Sequence, residues 1–168
     1  MRPYYVDSIW QMQRQPGVIT LSGLYYNYAR FSDNALDANL LSVSNDQFYD
    51  RYNCGIWKNP YQTDTVFAMS PPLHAYSGRN FQVRLPSNLW FTNNASSVSS
   101  IAIDFNDGAG YKNIIKDQSI NISYADTGRK TWTFRLTLMD NSKLYSHTEM
   151  QIELEPNGYN LGGGAARF

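Results

Sequence analysis

Polar and apolar positions alternate most cleanly in the last third of the chain. In Thr131-Trp-Thr-Phe-Arg-Leu-Thr-Leu138, Trp132, Phe134, Leu136 and Leu138 fall on one side and Thr131, Thr133, Arg135 and Thr137 on the other, the period-two pattern of a half-buried strand. Asp140-Asn141 then predicts a hairpin turn. In the returning run, Thr148, Met150, Ile152 and Leu154 oppose His147, Glu149, Gln151 and Glu153. Upstream, Phe81, Val83 and Leu85 share one face, as do Ile120, Ile122 and Tyr124, and Ser99 to Phe105 forms a further strand. Val66-Phe-Ala-Met69 predicts a short strand ended by Ser70-Pro71-Pro72, and Thr92 to Ser97 an exposed connection. Short strands spaced by turns, each apolar on one side, predict two packed antiparallel sheets.

The first 65 residues are less regular. Residues 1–17 show no clear period and predict an irregular lead-in closed by the Pro16-Gly17 turn. Val18 to Tyr28 is β-branched and aromatic, a strand or bent strand pair with Gly23 at a bulge or close approach. Ser32-Asp33 offers a cap for a short helix through Ala35, Leu36 and Leu40. From Ser44 to Thr65 the aromatic residues stand among Asn, Asp, Gly and Pro, which predicts a long aromatic loop. The expected organisation is therefore an aromatic-rich N-terminal elaboration over 1–65, a β-sandwich over 66–155, and a Gly-rich exit linker over 156–168.

Composition narrows the functional classes. Lys+Arg and Asp+Glu both total 14 in 168 residues, so no net field recruits nucleic acid or an anionic membrane. No apolar run approaches a membrane-spanning length, and the opening Met1-Arg-Pro-Tyr-Tyr-Val lacks the apolar stretch of a signal peptide. Cys54 is the single cysteine, which excludes an intramolecular disulfide and a thiolate metal cluster and reads as a small apolar filler. The 13 Tyr and 4 Trp, with few charges, suit a strand-rich extracellular module.

Residues from about Val66 to Leu154 resemble a PKD-type domain, an immunoglobulin-like sandwich of secreted and cell-surface proteins. Met69-Ser-Pro-Pro72, Gly78 and Phe81-Gln-Val resemble that family's first two strands. Asp104-Phe-Asn-Asp-Gly108 is similar to its Asp-Phe-Gly-Asp-Gly signature, and Tyr124…Gly128 before Trp132, Phe134 and Leu136 is similar to its Tyr-x-x-x-Gly segment and following strand. Asn106 replaces the signature's first Gly, a position where Asn tolerates positive φ, and Lys130 stands where the family has an aromatic residue. More loosely, Val18–Tyr28, the acidic turn and Leu161-Gly-Gly-Gly-Ala-Ala resemble the N-terminal region of large secreted proteins of gliding-type Gram-negative bacteria. In some of these a PKD-like part precedes an α/β-hydrolase or other effector domain. The resemblance implies an all-β, PKD-like accessory domain with no catalysis of its own, carried upstream of another domain of the same polypeptide.

Candidate chemistry is sparse. Counting an EF-type loop from Asp104 puts Ala109 and Ile115 where Gly and Glu are required. Asp104 and Asp107 thus remain candidates only for a looser Ca2+ site, against the reading in which their side chains cap turn amides. His74 and His147 share no metal-like spacing, and no Gly-x-Ser-x-Gly elbow or phosphate-cradling loop occurs. Tyr49, Tyr52, Trp57 and Tyr61, with Tyr25, Tyr26 and Tyr28, are the candidate ligand platform, because exposed rings offer apolar faces with polar tips to a glycan or a protein surface. The competing reading is that these rings cover an edge of the sandwich.

Overall fold

A strand with one apolar face can bury it only against a second layer, and most of the fifteen strands among the described residues, which also include one α-helix, do so here. The computed structural model describes residues 3–155, with side chains from residue 7 onward. In chain order the N-terminal elements are helix α1 (Pro3–Gln13), β1 (Val18–Thr20), β2 (Ser22–Phe31), β3 (Leu41–Ser44), β4 (Gln47–Asp50), β5 (Tyr52–Asn53), β6 (Ile56–Trp57) and β7 (Tyr61–Ser70). There follow β8 (Ala75–Ser77), β9 (Asn80–Arg84), β10 (Trp90–Thr92), β11 (Val98–Asp104), β12 (Tyr111–Asn113), β13 (Ser119–Ser123), β14 (Gly128–Leu138) and β15 (Lys143–Glu153). The fold is all-β and sandwich-like. The expected Gly-rich exit, 156–168, lies outside the described residues. No helix among those residues is long and apolar enough to cross a membrane.

One layer is a five-stranded sheet in the order β12-β11-β14-β15-β8, and the other a three-stranded sheet in the order β1-β9-β13. Their inner faces supply one contiguous core in which Phe81, Val83, Ile101, Ile103, Trp132, Phe134, Leu136, Met150 and Ile152 are buried. The alternation predicted for β9, β13, β14 and β15 is the alternation observed. Leu154 departs from it, 73% exposed, because β15 ends at Glu153.

A third sheet, β10-β2-β7, closes the side of the sandwich. β1 and β2 form the bent pair expected from the sequence, joined at Leu21, whose N–H donates to the Arg84 carbonyl. β1 runs parallel to β9, whereas β2 runs parallel to β10 and antiparallel to β7, from Ser22↔Ser70 to Phe31↔Tyr61. That pairing covers all ten residues of each strand, a ribbon roughly 30 Å long. β7 is accordingly longer than the short strand expected from Val66, and position 65 falls inside it.

Gly23 is the close approach its position predicted: a Cβ there would sit 2.8 Å from Met69 Cε and 3.0 Å from the Trp90 ring. Gly23→Ala should cost about 1 kcal/mol, since the thioether end can move but the indole is held. A urea titration showing no loss would mean that Trp90 yields freely.

Three N-terminal expectations are corrected. Residues 3–13 are helical, with Pro3 at the first helical position, where its missing N–H costs no bond. Ile9 is buried and α1 packs on the turn Ser87–Leu89. The expected helix after Ser32 is a succession of turns. Asp33 bonds Arg30 rather than capping backbone amides, and Asn39 at φ +56° ends the coil. The expected long aromatic loop is instead two tight hairpins, β3-β4 and β5-β6. Both turn residues have positive φ in each, Asn45 and Asp46 in the first and Cys54 and Gly55 in the second, the twist that two-residue hairpins favour. Cys54 is therefore an exposed turn residue and not an apolar filler.

Candidate functional site

The acidic turn after β11 is held from within. Asp104 Oδ1 accepts from the Asn106 N–H at 2.8 Å and Asp107 Oδ1 from the Ala109 N–H at 3.0 Å, the Asx geometry of such turns. Asn106 takes φ +57°, a left-handed conformation that asparagine visits more readily than other non-glycine residues. The Asp107 side chain is only 5% exposed, and its Oδ2 lies 2.6 Å from Lys112 Nζ. Burial alone would raise the Asp107 pKa, but the Lys112 and Ala109 hydrogen bonds outweigh it and hold the carboxyl below its ordinary value. The cationic partner of this turn is thus a lysine. Among the described residues, no three His, Cys, Asp or Glu side chains cluster as metal ligands.

The two histidines stand apart. His147, on the outer face of β15, has Nδ1 3.1 Å from Thr133 Oγ1. The His74 carbonyl accepts from the Gln151 N–H. Ser146, beside His147 in sequence, points to the opposite face of the strand, as successive strand residues do. There its hydroxyl accepts from the Met69 N–H at 3.2 Å and donates to the Met69 carbonyl at 3.3 Å.

The aromatic platform divides in two. The far end of the β2–β7 ribbon carries Phe31 and Tyr61 as a cross-strand pair, stacked with centroids 4.9 Å apart. Phe48 leans on Phe31 at 5.3 Å and Trp57 on Tyr61 at 6.5 Å, so four exposed rings form a connected row at the tip of an arm. Tyr52 pairs with Trp57 across β5-β6 and is 61% exposed. Tyr49 is exposed on the face of β4 opposite Phe48 and bonds Gln47 Oε1. Tyr25, by contrast, belongs to the core, so the platform cannot include it.

Phe31 and Phe48 were not among the rings expected to form the platform, because their place in the row depends on the β2–β7 register and on which face of β4 turns toward it. Beside them opens a cleft of about 270 Å³ lined by Ser32, Asp33, Ala35, Leu36, Asp37 and Leu41. The Ser32 hydroxyl is buried there without a hydrogen-bond partner.

A larger groove of about 600 Å³ lies at the other end of the ribbon, where its outer face meets β15. Phe91, Leu24 and Ala68 stand in register across β10, β2 and β7 and make an apolar floor. Tyr26 extends that floor, and Ser146 and His147 form a wall. Sequence periodicity does not reveal this site, because it depends on a parallel pairing between distant segments. In comparisons with known proteins, no family model and no curated protein matches the chain.

Proposed function

We propose that this chain is a non-catalytic interaction module of a larger secreted or cell-surface protein, an immunoglobulin-like, PKD-like sandwich that makes its contacts through the aromatic arm. The observation that carries this reading is the exposed row Phe48–Phe31–Tyr61–Trp57, held on a ribbon that projects from the core. Large apolar rings gathered at a protruding tip stabilise nothing behind them, and such patches mark contact surfaces. The sandwich reading draws support from the order β12-β11-β14-β15-β8 opposite β9-β13, with β8 parallel to the last strand, an arrangement that extends the immunoglobulin pattern. The engaged acidic turn and the separated histidines favour a binding role over catalysis.

A second reading, carbohydrate binding at the same tip, is favoured by the cleft beside Phe31 and Phe48. It sets an unpartnered Ser32 hydroxyl and the Asp33 and Asp37 carboxylates next to apolar rings, the combination that receives a sugar's apolar face and its hydroxyls. The chain should be presented to arrayed glycans and to arrayed extracellular proteins, alongside Trp57→Ala. Binding to proteins that falls about tenfold in the variant, the loss of one aromatic anchor, supports the first reading; the same loss on glycans supports the second. Binding that Trp57→Ala leaves intact, or none on either array, removes the arm as the contact site. Trp57→Ala itself should change stability by less than about 1 kcal/mol, because the ring is 43% exposed.

A further inference from the structure

β13 is the edge of its sheet, with β9 as its only strand neighbour among the described residues. The Tyr124 N–H donates to the Arg79 carbonyl, and the Gln82 N–H on β9 donates away from β13, to the Gly17 carbonyl. The register runs from Ser119↔Arg84 to Ser123↔Asn80 without a shift. Even-numbered residues of β13 therefore bond β9, while Ser119, Asn121 and Ser123 turn their N–H and C=O groups outward. Among the described residues no group bonds those outward N–H and C=O groups, and all three residues are exposed. The neighbouring chain leaves this edge clear. Residues 114–118 cross between the sheets at the start of the strand, held by the Ile114 N–H on the Ile101 carbonyl and the Asp117 N–H on the Leu85 carbonyl. Past the other end, the Tyr124 hydroxyl meets the Phe105 carbonyl, where β11 has already ended.

The other edges of the three larger sheets are poorly suited to pairing. β1, β8, β10 and β12 are each three residues long, and very short edge strands give a partner little to bond. β7 is long but blunted. The Ser32 N–H donates to the Pro60 carbonyl, so by the same alternation the odd-numbered residues of β7 face away from β2. Side-chain oxygens cap three of those amides: Asn59 Oδ1 that of Tyr61, Asp64 Oδ1 that of Thr65, and Ser146 Oγ that of Met69. β13, five residues long, has no such guard, for it carries no charged residue, no proline and no bulge.

We infer that β13 pairs antiparallel with β13 of a second copy of this chain, about a two-fold axis at Asn121, so that the two β1-β9-β13 sheets become one continuous sheet. The sequence carries the symmetry that this pairing needs. Ser119-Ile120-Asn121-Ile122-Ser123 reads the same in both directions, so an antiparallel copy sets serine opposite serine, isoleucine opposite isoleucine and asparagine opposite asparagine. In that register every outward N–H meets an outward C=O, and each copy presents the same surface, as an isologous contact requires. Ile120, only half-buried at the sheet edge, gains a cross-strand isoleucine on the inner face. On the outer face Asn121 Oδ1 accepts from Gln82 Nε2 at 3.0 Å, which leaves the Asn121 NH2 to carry the amide ladder across the axis. The formal net charge of the chain is zero, so no net repulsion keeps two copies apart. A contact this short gives a reversible dimer. β13 lies across its sheet from β1, the strand that leads into the arm, so both arms stay free and the dimer offers two contact tips to one partner surface.

Sedimentation of the chain over a concentration series tests this. A dimer should form as concentration rises, and hydrogen exchange at Ser119, Asn121 and Ser123 should slow with it. Asn121→Pro deletes an outward N–H while sparing the β9 ladder, and Asn121→Lys or Asn121→Glu sets like charges opposite each other across the axis. Each should weaken dimerisation by at least about tenfold, with thermal melts showing that the variants fold. An equimolar mixture of Asn121→Lys and Asn121→Glu should dimerise again, because a two-fold axis at Asn121 brings this position against its own copy. Should Asn121→Pro fail to fold, the two charge variants and their mixture decide. Trp57→Ala in the arm and Ala68→Trp in the groove should leave the dimer unchanged. The inference is overturned by a chain that stays monomeric, by a dimer indifferent to the substitutions at Asn121, or by a mixture of the charge variants that stays monomeric. A dimer that Trp57→Ala or Ala68→Trp dissociates would overturn it in favour of the arm or the groove as the contact between copies.

Discussion

Tyr124→Phe is expected to lower the unfolding free energy by about 2–4 kcal/mol and the melting temperature by roughly 4–16 °C, although it removes a single oxygen. That oxygen donates to the Phe105 carbonyl at 2.7 Å and accepts from Trp132 Nε1 at 2.9 Å. Both partners are fully buried, and Trp132 is in turn wedged edge-on against Phe105 at 5.1 Å. Removing the hydroxyl leaves a donor and an acceptor without water or partner, each costing about 1–3 kcal/mol. Burial pushes the Tyr124 phenol above its ordinary range, so the group stays protonated and keeps donating across the pH range in which the protein folds. Urea titrations should show a lower midpoint at unchanged slope. A loss below about 0.5 kcal/mol would mean that water reaches the site and the network is not structural.

Asp107→Ala should cost about 2–3 kcal/mol at neutral pH, because it strands the half-buried Lys112 ammonium and frees the Ala109 amide. The cost should depend on pH in a definite direction. The folded carboxyl sits below its ordinary value, so its contribution is complete above the unfolded carboxylate range near about pH 4 and is lost as pH falls through the folded value. The wild-type and Asp107→Ala curves of stability against pH should therefore converge below about pH 4. Parallel curves through that range would show that Asp107 acts by shape rather than charge. Asp33, Asp64, Asp117, Asp126 and Asp140 are held low as well and should add to the acid limb of the wild-type curve.

What the sequence disclosed follows from which residues have only one dry face. Trp132, Phe134 and Leu136 alternate with threonine and arginine because β14 has the core on one side and solvent on the other, so period two survives in the residue order. Helix α1 buries Ile9 while Met12 is 75% exposed, too thin an apolar stripe to register as a period. The arm hairpins were hidden for another reason: β5 and β6 are two residues long, and neither has a buried face. The turns themselves were the readable signal there, since Asn45-Asp46 and Cys54-Gly55 take the positive φ that such hairpins need. The candidate rings Tyr49, Tyr52, Trp57 and Tyr61 are exposed, which the sequence left open against the reading in which they cover an edge of the sandwich. Tyr25 shows that composition alone does not separate a platform ring from a core ring.

The parallel pairings of β1 with β9 and β2 with β10 carry a consequence for the order of assembly. The parallel partner of Val18 is Gln82, and that of Gly23 is Trp90, so the first strands made on the ribosome must await chain synthesised much later to complete their sheets. Closing such distant contacts is entropically costly and slow, whereas β14 and β15 meet through a turn at Asp140-Asn141 as soon as both exist. The arm hairpins close locally in the meantime, which leaves Ile19, Leu21 and Tyr25 exposed on a nascent chain until residues 80–92 emerge. The N-terminal third is thus the segment most in need of protection during synthesis, and shortening the delay, by circular permutation that makes β9 and β10 before β1, should raise the yield of folded protein.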